Sequence, residues 1–286
     1  MIILRTVSDL RNAVHAARGE GKRIGLVPTM GAFHQGHLSL VQRARERCGF
    51  VVVTLFVNPA QFNESADLAR YPRDEVKDAQ LAKSVGADVL FAPSVDEVYP
   101  RGFVTTVDVA PLAEPLEGIV RGTQHFKGVA TVVTKLLNMA QPDEAFFGQK
   151  DAQQALIIRR LVRDLDFPVR IEVCPTVREP DGLAMSSRNT LLDDDARRRA
   201  PALSHALFAV ANAVAGGETK VETAMAPGRL ALAQAGIEPE YFAAVSAETL
   251  APVAVVEGET LVAIAVRFGS VRLIDNVIVG DGGAAS

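Results

Sequence analysis

The chain has 286 residues, 48% hydrophobic and 22% charged, with a formal net charge of −4; that allows a sizeable core in one large domain or two modest ones. With no basic tail or dense Lys/Arg stripe, a large nucleic-acid footprint is not expected, and no apolar stretch approaches the ~20 residues of a membrane span. The apolar part of MIILRTVSDL is too short for a secretion signal, so a cytoplasmic protein with no nucleic-acid or membrane partner is expected.

Residues 8–17 read as a helix with Leu10, Val14 and Ala17 on one face. Residues 24–27 (IGLV) read as a buried strand, and 38–48 as a helix ending before Gly49. Within it RARER (43–47) reads as a solvated face. The nearly all-apolar run 50–57 (FVVVTLFV) has the pattern of a central parallel strand. A helix at 74–85, a strand at 88–92, a helix at 126–139, a strand at 144–147, a helix at 151–165 and a strand at 169–173 follow. This alternation predicts an α/β fold, a Rossmann-like doubly wound parallel sheet with helices on both faces. After about residue 176 the pattern changes. PTVREPDGLAMSSRNT is loop-rich, Ala-rich helices are expected at 193–215 and 221–235, and ARRRA (196–200) reads as solvated. Period-2 stretches at 240–245, 260–268 and 271–277 predict antiparallel strands. The expected domains are therefore 1–176 and a smaller α+β domain, 177–286, that carries the MSSRN loop, with GDGGAAS fraying at the end. Cys48 and Cys174 match no metal or redox spacing and are expected to be packing residues in a reducing compartment.

Four stretches carry candidate chemistry. VPTMGAFHQGHL (27–38) joins a strand end to a helix, with Gly31 and Gly36 around His34 and His37. In an open α/β sheet ligands sit beyond the carboxyl ends of the strands. A helix starting near Gly36 would present unpaired N–H groups and a positive dipole end to phosphate, and imidazoles three apart project together and donate to phosphate oxygens. FVNPAQFN (56–63) places the neutral groups of Asn58, Gln61 and Asn63 after the strongest strand. FFGQKDAQQ (146–154) passes through Gly148 to Lys150, a mobile point charge. There Asp151 suits a helix cap, and the amides of Gln153 and Gln154 suit a hydroxylated substrate. GLAMSSRNT (182–190) clusters Ser186, Ser187 and Arg188, the composition of a loop that closes on a triphosphate and excludes water. Taken singly, FFGQKDAQQ reads as well as a solvated Lys-Asp pair and GLAMSSRNT as well as a surface turn, FVNPAQFN has a plain turn as its alternative, and in VPTMGAFHQGHL the joint placing of histidines and glycines favours phosphate over capping histidines. Together, with no cysteine nucleophile and no G-x-x-x-x-G-K-[ST], they point to phosphate chemistry by positioning and charge stabilisation.

PTMGAFHQGHL (28–38) resembles the PTMGALHxGH signature of the pantothenate synthetase (pantoate–β-alanine ligase) family, a version of the HIGH motif of nucleotidyltransferases. FVNPAQFN, YPRD (71–74), HFKGVATVVTKLLN (125–138), FFGQKDAQQ and DGLAMSSRN (181–189) follow in the family's order. Phe33 stands for the usual leucine, and RGTQHF (121–126) departs from R-P-G-H-F. The resemblance implies ATP-dependent condensation of (R)-pantoate with β-alanine through pantoyl adenylate, releasing AMP and pyrophosphate. It implies that Met30, Gly31, Ala32, Phe33, His34, Gln35, Gly36 and His37 hold ATP. His37 would be the proton donor and His34 a phosphate contact. Gly148, Gln149, Lys150 and Asp151 would also bind ATP, with Lys150 on the phosphates and the Val177 backbone at adenine. Met185, Ser186, Ser187 and Arg188 would close on the triphosphate. Gln61 would contact pantoate and β-alanine, and Gln154 pantoate. Mg²⁺ is implied with ATP, with Asp78 as a contact and no ligand set assigned, and so is a homodimer. Another adenylyltransferase, an aminoacyl-tRNA synthetase and a nucleotide sensor are the alternatives, distinguished by AMP release and its substrate dependence.

Overall fold

The computed structural model describes residues 1–63, 68–69 and 71–280; the expected fraying of the tail falls on residues 281–286, outside them. The chain forms two compact units, Met1–Gly148 with Ile157–Cys174, and Gln149–Leu156 with Pro175–Ser286. A single division near 176 does not anticipate that 149–156 groups with the second unit, where β-strand side chains hold its first turn.

The first unit is built on a six-stranded sheet of β1 (Ile2–Leu4), β2 (Ile24–Val27), β3 (Phe50–Thr54), β4 (Val89–Phe91), β5 (Glu144–Gly148) and β6 (Arg170–Cys174). Their order is β1-β4-β3-β2-β5-β6, and every pairing is parallel. Ile24 lies opposite Phe50, and Gly25 opposite Glu144. β2 is buried throughout, as its unbroken apolar run requires. The chain steps from β2 to β3 on one side and from β5 to β6 on the other. The direction of winding therefore reverses between β2 and β5, where an open sheet leaves a crevice at its carboxyl edge. The core around this sheet includes Phe33, Val41, Val53, Leu90, Phe146 and both cysteines. No helix among the described residues is long and apolar enough to cross a membrane.

Several expectations change. β3 ends at Thr54 instead of 57, because the Phe56 N–H turns to the Thr29 carbonyl and Asn58 caps a 3-10 turn, Pro59–Gln61. β1 escapes the sequence pattern because it is three residues long at the sheet edge, with Ile2 and Ile3 exposed. RARER is not simply solvated, since Arg43, Arg45 and Arg47 pair with Glu172, Asp88 and Glu144.

The second unit contains the antiparallel sheet β7 (Tyr241–Ser246), β8 (Thr260–Phe268) and β9 (Val271–Val279). The helices Ala202–Ala215 and Val221–Gln234 share its core through Leu203, Leu207, Met225, Leu232, Ile264 and Val277. The helix expected over 193–215 is two, Asp194–Arg199 and Ala202–Ala215. Pro201 stands between them and has no N–H to continue the ladder.

Candidate active site

At the β2 exit, Gly31 (φ +94°) and Ala32 (φ +55°) are successive residues in left-handed backbone. Glycine adopts this without strain, whereas alanine must be held there. Asp78, buried on the Glu75–Ser84 helix, does so: its Oδ2 accepts from Ala32 N and its Oδ1 from Phe33 N, both at 2.8 Å. Both oxygens of the residue implied as a Mg²⁺ contact are thus committed to the main chain. Among the described residues no group of three or more His, Cys, Asp or Glu could hold a metal. The described residues therefore do not build a Mg²⁺ cage.

The same loop hands over to the Gln35–Arg47 helix, which starts three residues before the expected 38 and has His34 as its N-cap. His34 Nδ1 accepts from Gly36 N at 3.1 Å, and His37 Nδ1 from His34 N at 3.4 Å. The two rings lie 4.2 Å apart, centroid to centroid. A Cβ on Gly36 would stand 2.9 Å from the His34 ring, so glycine makes room for this cap. With both Nδ1 atoms accepting, neutral rings carry their proton on Nε2, as donors. The first helical turn itself carries no acidic residue; the carboxylate nearest this helix end is that of Asp78, on the main chain of residues 32 and 33.

After β3, buried Asn58 organises the 56–63 stretch. Its Nδ2 donates to Gln61 Oε1 (3.0 Å) and the Gly128 carbonyl (3.1 Å), and its Oδ1 accepts from Ala60 N (3.2 Å) and Tyr99 Oη (2.8 Å). Burial pushes the Tyr99 hydroxyl up to about 12, so it remains a donor. Gln61 Nε2 lies 3.2 Å from Met30 Sδ, joining this turn to the β2 loop, and the Gln61 carbonyl meets His125 Nδ1 at 2.8 Å. Gly128, in the Thr123–Ala140 helix, packs directly on the turn; a Cβ there would fall 2.2 Å from the Ala60 carbonyl oxygen. Arg121 is placed by Glu117, 2.7 Å from its Nε, while its carbonyl accepts from Asn63 Nδ2. Tyr99, Gly128 and the clamping role of Asp78 escaped the sequence reading, because each acts across more than 40 residues of chain.

In the second unit, Gln149–Asp151 is a 3-10 turn leading into the Ala152–Asp164 helix. Lys150 Nζ lies 3.9 Å from Asp151 Oδ1. Gln153 is buried and Gln154 partly exposed. Gly148, the last residue of β5, has open space where a side chain would stand. Val177 accepts from Met185 N at 2.9 Å, and Arg178 bridges to Ala184, so the 177–185 segment is a small hairpin. Ser186 caps the Ser187–Leu191 turn, its Oγ accepting from Arg188 N. Ser187 and Arg188 are exposed, and the Arg188 guanidinium has no hydrogen bond or ion pair among the described residues. Asn189, also unanticipated, ties the hairpin together by donating to Glu179 Oε1 and the Ala184 carbonyl. Burial pushes the Cys174 thiol up to about 11 and raises that of Cys48, which suits packing and not nucleophilic attack.

The predicted residues thus form two sets. Met30–His37, Gln61 and Gly148 belong to the first unit; Gln149–Asp151, Gln154, Val177 and Met185–Arg188 belong to the second.

A family model described as pantoate-beta-alanine ligase matches residues 2–278. The pantothenate synthetase of Cereibacter sphaeroides is 52% identical over 276 residues, covering 96% of this chain and 98% of that protein. That of Pelotomaculum thermopropionicum is 48% identical over 284 residues, covering 98% and 99%. Among solved structures, a pantothenate synthetase from Thermus thermophilus superposes with a TM-score of 0.89 at 46% identity, covering 96% of this chain and 98% of that one. A pantoate-beta-alanine ligase from Francisella tularensis, complexed with beta-gamma ATP and beta-alanine, gives 0.77 at 33% identity, covering 96% and 97%.

Proposed function

The chain belongs to the pantoate–β-alanine ligase family, and from that premise we propose that it is an AMP-forming ligase condensing (R)-pantoate with β-alanine to pantothenate. The pantoate carboxylate attacks the α-phosphorus of ATP and pyrophosphate leaves. The amine of β-alanine then attacks the carbonyl of the resulting pantoyl adenylate, AMP leaves, and the amine sheds a proton. Adenylation is needed because a free carboxylate is a poor acyl donor. The protein's task is to stabilise charge growing at phosphorus and to keep water from the mixed anhydride.

The observation that carries this reading is the paired-histidine cap at the sheet's reversal point, whose Nδ1 acceptors leave Nε2–H as the donor of each ring. His34 and His37 donate to phosphate oxygens, with the Met30–His37 main chain around them. His37 acts chiefly as an electrostatic donor, because pyrophosphate is already a good leaving group. Gly148–Asp151 binds ATP and Lys150 supplies positive charge to the transferring phosphoryl group. Val177 lines adenine through its backbone, and Met185–Arg188 closes on the triphosphate, carried by a C-terminal unit that acts as a lid. Gln61 takes pantoate and β-alanine, and Gln154 pantoate. Mg²⁺ arrives with ATP, held by phosphate oxygens and water, as this ion commonly is. A cytoplasmic homodimer is the setting we propose, with light scattering to test the dimer.

The test is AMP release from ATP with pantoate and β-alanine omitted in turn. AMP that requires both acceptors supports the ligase. AMP release independent of either, or a dinucleotide-like product instead, removes it.

A further inference from the structure

Strand β9 carries two consecutive polar residues, Asp275 and Asn276, each only 3% exposed. They pair with Ile264 and Ala263 in the middle of the β8–β9 ladder, so their backbone positions are fixed from both ends. Successive strand residues leave on opposite faces, and the two side chains reach different segments. The Asn276 carboxamide donates to the carbonyls of Gln149 (2.9 Å) and Lys150 (3.0 Å), and its Oδ1 lies 3.5 Å from Gln149 Nε2. Asp275 accepts a two-pronged grip from Arg178, at 2.6 and 3.1 Å, and its Oδ1 also accepts from Asn276 N at 2.8 Å. Arg178 donates to the Gly182 carbonyl at 3.1 Å and stacks 4.9 Å from the Phe208 ring centre. Adjacent residues of one strand therefore hold the Lys150 turn and the base of the hairpin leading into Met185–Arg188. Burying such groups costs free energy that valine in their place would not incur, so a positional task accounts for them better than core packing does.

We propose that Asn276 is a positioning residue for adenylation: by gripping the Gln149 and Lys150 carbonyls it fixes where the Lys150 ammonium stands, while Asp275, through Arg178, fixes the base of the phosphate loop. The inference rests on the phosphate role assigned above to Lys150. Its test is a double-mutant cycle on the full-length enzyme, read by single-turnover pyrophosphate formation from ATP and pantoate. Asn276→Asp keeps the side chain's size but sets an oxygen against two carbonyls. The variant is expected to lose about 10²-fold in rate, as a misplacement near 1 Å does, with kcat falling more than the KM for β-alanine changes. In a Lys150→Ala background the same substitution is expected to cost less than about threefold, because the group it positions is gone. Losses that multiply in the double variant, or an Asn276→Asp enzyme as fast as wild type, overturn the proposal. A Lys150→Ala enzyme at the wild-type rate overturns both the proposal and the phosphate role of Lys150, so the two failures are distinguishable. If Asn276→Asp does not fold, Asn276→Ser, which retains one small donor, carries the same cycle, and the same outcomes support or overturn the proposal.

Discussion

His34 has two tasks that a single substitution can separate. Its Nδ1 caps the Gln35–Arg47 helix by accepting from Gly36 N, while Nε2–H is the donor assigned to phosphate. Asparagine is among the best N-caps, so His34→Asn should keep the helix end, whereas His34→Ala should cost about 1 kcal/mol of stability. Neither variant carries a donor where Nε2 stands, and both are expected to slow adenylation by about 10²-fold. Thermal melts alongside single-turnover kinetics decide the matter: an Asn variant that is both stable and fast would leave the ring only its capping task. The histidines were legible in the sequence because their partners lie within three residues. Asp78 was not legible as a clamp, because the N–H groups it receives lie 45 and 46 residues earlier, and no local pattern encodes that distance.

At the level of elements, the turn that carries Gln61 depends on a helix far along the chain. Asn58 bonds the Gly128 carbonyl, and the absence of a side chain at Gly128 lets Pro59–Gln61 lie against the Thr123–Ala140 helix. Gly128→Ala gains about 1 kcal/mol of helix propensity but overpacks the contact, at a cost of about 1–3 kcal/mol. The turn is expected to move and take the Gln61 amide with it. The measurable outcome is a rise of about tenfold in the KM for pantoate and β-alanine, the size expected from losing one substrate contact. The KM for ATP should hold nearly constant, and an unchanged KM for both acceptors would disconnect Gly128 from Gln61. HFKGVATVVTKLLN showed a helix through its periodicity, which says nothing of why a glycine stands within it. Its purpose appears once the facing turn is in place. The break at Pro201 was legible in principle, since proline ends helices, yet the helix-favouring residues on either side, DDDARRRA before it and an Ala-rich run after it, hid it.

Across the first unit, the two ends of one parallel sheet divide the work. The carboxyl edge bears the histidines and amides, and the amino edge bears ion pairs. Glu144, wholly buried at the start of β5, receives Arg47 at 2.6 and 3.1 Å, and Arg23 also reaches it. Burial alone would raise this carboxyl, but the hydrogen bond and charge of Arg47, with the charge of Arg23, hold it below the usual range. A carboxyl lowered on folding contributes stability that is fully present above its unfolded value of about 4.3. That contribution is lost as pH falls through the depressed folded value. Glu144→Gln removes the charge without changing the size. Because both arginines reach water, the cost at pH 7 is expected near the lower end for a broken buried pair, about 3 kcal/mol. Calorimetric melts from pH 7 down to 3 should show wild type losing its advantage over Glu144→Gln below about pH 4.5, so that the two curves converge. Parallel curves over that range would remove Glu144 from the acid response. Adenylation at pH 7 and at a temperature where both proteins are folded should match wild type, because the pair lies at the sheet end opposite the histidines proposed above to bind phosphate; a slow variant there would tie stability and catalysis to one edge.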